Sequence, residues 1–487
     1  MLKHGYGTLV AAFVVAVVVT ACSGQPSSTP AAAPTAAAAS VAPSATEAPR
    51  APLPTAIGPT VAAPTAPPTV AAPTVAPTST GSSATEALRF THPTEITNPF
   101  YPISLIGQAI SIGTEGGKPA RNEITLLPDT KMITWQGQQI EARVNQFVAY
   151  TDGKLVEVAY DYFAQADDGS VYYLGEDVSN YEDGKVVSQE GSWLTGKDGA
   201  PAALIMPAHP AVGQVFNPEN LPGVVYETDE ILSLTEKTTT PAGPTDQGML
   251  VKETLMDGSI EHKVYAANFG IVEERAEDEQ ANLVLSNRTD AQPGTVPEPL
   301  STIEAQAEDI IDVVPGGNWG QVASDVAAVA KAWQAYGTQA ASDKVPQPFQ
   351  EALTAALDRL QKAAAAKKAA GTMQAANDLS AAVNDLFTVY HPARPADLGR
   401  LDVLERQVTL DVAANDLTAA ADSLAKANAV WARLKPVILA HNGTDAATRF
   451  ESSLTAQQKA LDEENASTLA TEAKNSLEVV DVLENLF

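Results

Sequence analysis

The sequence predicts a multidomain α and β protein. A disordered Pro/Ala/Thr-rich tether leads into an antiparallel β-rich domain (a curled sheet, a barrel or a sandwich), and an all-α helical bundle of about seven helices follows. Three observations predict this. Residues 22–86 are almost free of charge and are built from Pro, Ala, Thr, Ser and Val. Residues 87–290 set Asp-Gly dipeptides between short runs of Val, Ile, Tyr and Thr. From residue 317 to 487, apolar side chains recur at three- and four-residue steps. Residues 1–21 read as a signal peptide and 291–316 as a linker.

The leader places Lys3 and His4 before an apolar run from Leu9 to Val19, which is too short to span a bilayer as a helix. The chain's single cysteine, Cys22, ends that run. Val19-Thr20-Ala21-Cys22 resembles the lipobox of bacterial lipoproteins. The resemblance implies a leader cut before Cys22 and a diacylated, palmitate-type anchor on its sulfur, with two chains for stable attachment. The expected location is extracytoplasmic, lipid-anchored to a bacterial membrane at the cell surface or in the periplasm. Ser23 stands where an aspartate would resemble an inner-membrane retention signal. With Cys22 acylated, no thiol remains for a disulfide or for catalysis.

Pro-rich composition denies the tether a core and biases it to extended polyproline II. Roughly 60 residues at ~3.1 Å each would reach on the order of 190 Å, standing the folded part well away from lipid.

In the β domain, Asp152-Gly153, Asp168-Gly169, Asp183-Gly184 and Asp257-Gly258 each predict a hairpin turn. Strands are expected at 144–150, 155–163, 171–174, 185–193, 248–255 and 260–265. No helix of ordinary length interrupts them, so the sheet should be mainly antiparallel. The stretch Asn98-Pro99-Phe100-Tyr101-Pro102, together with Gly175-Glu176-Asp177, Gly191-Ser192-Trp193 and Met206-Pro207-Ala208, resembles a recurrent, uncharacterised family of bacterial secreted proteins. That resemblance implies no known activity.

A Pro-rich join at 293–299 precedes a short amphipathic piece, and Pro315-Gly316-Gly317 opens the bundle. Helices are expected around Val322–Tyr336, Phe349–Leu360, Leu379–Tyr390, Leu398–Val408, Leu424–Ile438, Phe450–Leu461 and Leu469–Phe487. Trp333 and Trp431, Phe349 and Phe450, and Tyr390 and Phe487 recur at offsets of 98, 101 and 97, suggesting two copies of a three-helix unit joined by the fourth helix. Asn318-Trp319, Thr372-Met373 and Asp416-Leu417 read as helix starts.

The formal charge of −29 disfavours nucleic acid as a partner. Gly191 to Asp198 nearly spells a phosphate-binding loop, but Asp198 sits where a Ser or Thr must meet magnesium, so no nucleotide is expected. The loop at Asp167-Asp168-Gly169 fails as a calcium loop, because the twelfth position falls on Gly175. His209, His262, His391 and His441 show no zinc spacing, and no Gly-x-Ser-x-Gly elbow is present.

Two clusters remain. Asp161, Glu176 and Asp177, near Tyr162, Tyr173 and Trp193, have the composition of a carbohydrate or small-ligand cleft. Paired carboxylates could also serve glycoside hydrolysis. The plainer reading is solvent-facing strand carboxylates. In the fourth expected helix, Asp397, Arg400, Asp402, Glu405, Arg406 and Asp411 suit an ion-paired face, with Asp402 and Arg406 at i, i+4. His391, Asp402 and Glu405 are the candidate metal ligands there.

The function expected is noncatalytic display of binding or scaffolding modules at the cell envelope, with no cofactor. The partners expected are the membrane, through the lipid, and an envelope protein or glycan. The alternatives are a carboxylate-based, glycan-active hydrolase in the β domain and cation or small-solute capture by the bundle.

Overall fold

The structure, a computed structural model, describes residues 88–487; the expected leader, Cys22 and the whole tether lie outside the described residues. Five long strands open the β domain: β1 (Ile106–Glu115), β2 (Lys118–Trp135), β3 (Gln138–Thr151), β4 (Lys154–Gln165) and β5 (Val171–Glu182). Short pieces follow as β6 (Lys185–Ser188), β7 (Trp193–Leu194), β8 (Ala203–Met206), β9 (Val215–Phe216), β10 (Asn220–Leu221) and β11 (Val225–Tyr226). The domain closes with β12 (Thr228–Thr240), β13 (Gly243–Thr254), β14 (Ile260–Ala266), β15 (Gly270–Arg275) and β16 (Glu279–Arg288).

All four Asp-Gly dipeptides sit at hairpin turns. Asp152-Gly153 and Asp183-Gly184 have positive φ at both positions, the geometry that matches strand twist. Asp168 and Asp257 instead accept the N–H of the residue two ahead, Ser170 and Ser259. The expected strand at 185–193 is divided into β6 and β7 by a turn in which Ser192 N–H donates to the Gln189 carbonyl.

Fourteen of these strands form one antiparallel sheet in the order β6-β5-β4-β3-β2-β1-β16-β15-β14-β13-β12-β9, with β7 and β8 also paired to β5, while β10 and β11 pair only with each other. The sheet curls. Phe163 on β4 and Tyr265 on β14 are separated by five strands in that order, yet both contact the ring of Tyr101, at 5.5 and 6.4 Å between centroids. One buried cluster joins Phe147, Phe163 and Tyr173 to Ile231, Met249 and Val251 from the opposite side of the curl.

Eight helices follow among the described residues: α1 (Glu298–Val313), α2 (Trp319–Ser342), α3 (Gln347–Ala365), α4 (Ala369–Val389), α5 (Ala396–Ala413), α6 (Leu417–Ala440), α7 (Thr444–Asp462) and α8 (Ala466–Glu484). The first lies in the segment expected as a linker. Its Leu300, Ile303, Ala307 and Ile310 are buried, and the proline that suggested a join, Pro299, occupies the first turn, where a missing N–H costs nothing. α1 changes the repeat. One core unites α1–α4 and a second unites α5–α8, so the duplicated unit has four helices, and α5 is the counterpart of α1 instead of a joiner. Asn318 and Asp416 cap α2 and α6 as expected, through Gln321 N–H and Ala419 N–H. Thr372 does not start a helix; it is buried inside α4, which begins at Ala369.

Sheet and helices form one body. The outer sheet residues Val148, Leu155 and Val158 pack on Ala425 and Ala429 of α6. Small side chains let the helix approach closely: Gln146 Nε2 donates to the Ala429 carbonyl at 2.9 Å, and Leu155 N–H donates to Asp422 at 3.0 Å. Ile110, Val284 and Leu285 join the core of the first four-helix unit. Among the described residues, no helix is long and apolar enough to cross a membrane.

Candidate functional site in the curled sheet

The segment before β1 builds one wall of the site. Asn98 Nδ2 donates to the carbonyls of Gly169 and Pro207, while its Oδ1 accepts from Phe100 N–H. Gln165 Oε1 holds the N–H groups of Thr97 and Asn98, and Asn268 N–H reaches the Pro99 carbonyl from the β14–β15 hairpin. Thus clamped at both sides, the strap inserts Tyr101 between Phe163 and Tyr265. The Asn-Pro-Phe-Tyr-Pro run and the Met206-Pro207-Ala208 run are therefore partners in space.

Beside the Tyr101 ring lies a cavity of about 70 Å³. That is several times the ~10–15 Å³ that one water needs. Ala109 and Ser111 of β1, Asn122 and Ile124 of β2, Asn145 and Phe147 of β3, Ile271 and Glu274 of β15, and Leu283 of β16 line it, with Ile103 and Ile106 from the strap. Phe269, 45 % exposed, stands at its edge. Three polar atoms on this lining are buried without a hydrogen-bond partner: Tyr101 OH, Asn145 Oδ1 and Glu274 Oε1. Buried polar groups are ordinarily paired, so three orphans on one cavity wall call for an explanation.

The interior behind the cavity is acidic. Asp229 faces Glu253 across β12–β13, and Glu253 faces Glu261 across β13–β14. All three are buried, as are Glu157, Asp161, Glu176, Glu219, Glu227, Glu274 and Glu279. Lys263 is the cation in their midst, 2.5 Å from Glu253 and 4.0 Å from Glu261. Burial, aided by the charges of Asp161 and Glu115, pushes Glu157 up to about 8. Burial and the charges of Glu261 and Glu274 push Glu279 up to about 10. Glu274 rises to about 7, through burial, with Lys263 pulling down and Glu253 pushing up. Glu219, Glu227 and Asp229 are also raised, by burial first and then by the charge of Glu227 on Glu219 and of Glu253 on both Glu227 and Asp229. At neutral pH much of this interior is neutral carboxylic acid.

Three of the four ligand-binding residues expected from the sequence come together here. Asp161 on β4 faces Glu176 on β5, which faces Trp193 on β7. Both acids are 1 % exposed, and burial raises both. Tyr173 OH donates to Asp161 at 3.2 Å, and its ring meets Trp193 edge-on at 5.3 Å. Asn145, on the cavity wall, is the cross-strand neighbour of Asp161. Gly175 makes the β5–β7 pairing possible: at φ +127° a Cβ there would lie 2.4 Å from the Trp193 carbonyl oxygen. Asp177 is the exception. Adjacent strand residues face opposite ways, and Asp177 lies outside the curl with Lys131 at 2.9 Å and Tyr162 OH at 2.5 Å.

The expected metal ligands do not assemble. Asp402 pairs with Arg406, as its spacing predicted. Glu405 is turned into the second helical core, where Gln457 Nε2 donates to it at 2.9 Å and burial raises it to about 8. His391 sits in the turn after α4, where its carbonyl accepts from Gly294 N–H. Among the described residues, no group of three His, Cys, Asp or Glu side chains is placed to hold a metal ion. Residues 191–198 form β7 and a turn instead of the start of a helix.

A wider cleft, about 770 Å³, lies between the outer face of the sheet and α3–α6. Its guanidinium groups serve as bolts. Arg121 of β2 forks onto Asp385 of α4 at 2.7 and 2.8 Å, and Arg433 of α6 forks onto Asp397 of α5 at 2.8 Å. Arg400 joins Asp385 to Asp397, and Glu123 receives both Arg121 and Arg433. Burial would raise Asp385 and Asp397, but the guanidinium groups more than reverse it and hold both below the usual carboxylate range.

Comparison with protein-family models, curated proteins and solved structures found no match to this chain.

Proposed function

We propose that this protein is a noncatalytic binding protein of the bacterial cell envelope, lipid-anchored through Cys22, that takes a small ligand into the curled sheet. The observation that carries the reading is the cavity beside Tyr101, with three orphaned buried polar atoms on an otherwise largely apolar wall. Ligand sites have this composition: apolar lining with a few convergent polar groups. The cavity is lined by paired strands, β1, β2, β3, β15 and β16, and by a strap hydrogen-bonded at both flanks, so it is preorganised. A glycan hydrolase gains no support from this geometry. Asp161 and Glu176 are withdrawn from solvent and face each other across a strand pair, leaving no room for a sugar between them.

The test is to purify the full chain from its own envelope without denaturation and to extract it for mass spectrometry, beside the variant Ser111→Phe, which fills the cavity from β1. The reading expects a small molecule near one per chain that is lost in the variant. An extract from the native chain without any such molecule, or one equally present in the variant, would overturn it.

A further inference from the structure

We infer that the ligand of this cavity is an organic cation, a primary ammonium group on a short apolar body. This deepens the reading above and rests on it. The orphaned atoms can all accept a hydrogen bond: the amide oxygen of Asn145, a carboxylate oxygen of Glu274 and the phenol oxygen of Tyr101, which can also donate. A primary ammonium carries three N–H donors, one for each. The remaining lining that matters, Phe147 and Leu283 with Phe269 at the edge, suits a hydrocarbon body.

Charge points the same way. Tyr101 feels Asp161, Glu274 and Glu253 in its surroundings, with Lys263 as the opposing charge. Above pH 7 Glu274, raised to about 7, is largely ionised, and a carboxylate or phosphate ligand would meet its repulsion. A neutral alcohol could accept from Tyr101 O–H and donate to one of the other two, leaving either Asn145 or Glu274 unpaired. An ammonium ion offers a donor to each of the three and compensates ionised Glu274, and Phe269 on the lining adds apolar surface for its body.

The probes are butylammonium chloride, butanol and sodium butyrate, tested on the full-length chain at pH 8 and matched ionic strength by saturation-transfer NMR and by melting temperature. Butylammonium should bind and raise the melting temperature, while butanol binds at least tenfold more weakly and butyrate not at all. Glu274→Gln and Asn145→Ala should each weaken butylammonium tenfold or more. Glu274→Gln keeps the shape of the side chain, and a melting temperature at or above that of the native chain certifies its fold. Equal binding of butanol and butylammonium, or no loss in either variant, would overturn the cation assignment while the binding reading stands. No butylammonium binding by a chain that still carries a co-purified small molecule would also overturn the assignment alone. No binding of any probe and no co-purified molecule would remove both.

Discussion

Replacing Glu157 by Gln should make the protein more stable at neutral pH, and increasingly so as pH rises. Glu157 is 4 % exposed and faces Asn180 across β4–β5, with Asp161 on its own strand and Glu115 on β1 as the charges that act on it. Its carboxyl is raised from 4.5 to about 8 in the folded chain. A raised acid means that the folded state keeps a proton that the unfolded state gives up. Its contribution is therefore fully present below pH ~4.5 and is lost as pH climbs to ~8, at about 1.4 kcal/mol per pH unit. Gln copies the shape of the protonated acid and does not titrate. Native chain and variant should match near pH 4.5 and diverge by on the order of 3 kcal/mol at pH 7 and 4–5 kcal/mol at pH 8. Urea unfolding at pH 5, 6, 7 and 8 reads this directly, with the slope of the difference as the observable. Parallel stability curves across that range, or a variant less stable at pH 8, would show that Glu157 is not held neutral and would refute the acidic interior as described.

Three further outcomes follow from the same geometry. Gly184→Ala should loosen the sheet from α6, because its Cβ would fall 2.3 Å from the Ala421 carbonyl carbon and the Asp422 nitrogen; hydrogen exchange of α6 amides should rise. Gly137→Ala, at a similar positive φ with nothing within 4 Å, is the control and should cost only ~1–2 kcal/mol of backbone strain. Arg121→Ala should destabilise by about 3 kcal/mol in urea unfolding, since it strips Asp385 of its fork and leaves Arg400 alone on that carboxylate; Arg121→Lys should recover only part of this. Cys22→Ser should move the protein from the membrane fraction to the soluble extracytoplasmic fraction and abolish incorporation of labelled palmitate.

Turn chemistry and helical periodicity were legible in the sequence because both are local. The four Asp-Gly dipeptides each mark a hairpin, and the apolar steps of α2 through α8 each mark a helix. The prolines before α1 carry the pattern of a linker, and the burial of Leu300, Ile303 and Ile310 depends on packing against α2–α4, which no local pattern encodes. The site was half legible. Asp161, Glu176 and Trp193 do meet, but the direction in which they face was not readable. Along β4, Glu157, Ala159, Asp161 and Phe163 alternate with Val158, Tyr160 and Tyr162. A sheet with one wet face would turn the acids outward. Here α6 and its neighbours cover the outer face, Val158 packs on Ala425, and the acids fall inside. That reversal depends on a helix more than two hundred residues away, which no strand-level pattern encodes. Asn145 and Glu274 carried no motif at all; they matter because the curl brings β3 and β15 to the same cavity.

The most direct measurement is a crystal structure of the chain with butylammonium chloride at pH 8, in which the density beside Tyr101 decides the matter. The account predicts a bound ammonium nitrogen within hydrogen-bond distance of Asn145 Oδ1 and Glu274. A cavity closed by Tyr101 and Phe269 with no bound molecule, or the probe seated instead in the cleft between sheet and helices, would contradict it.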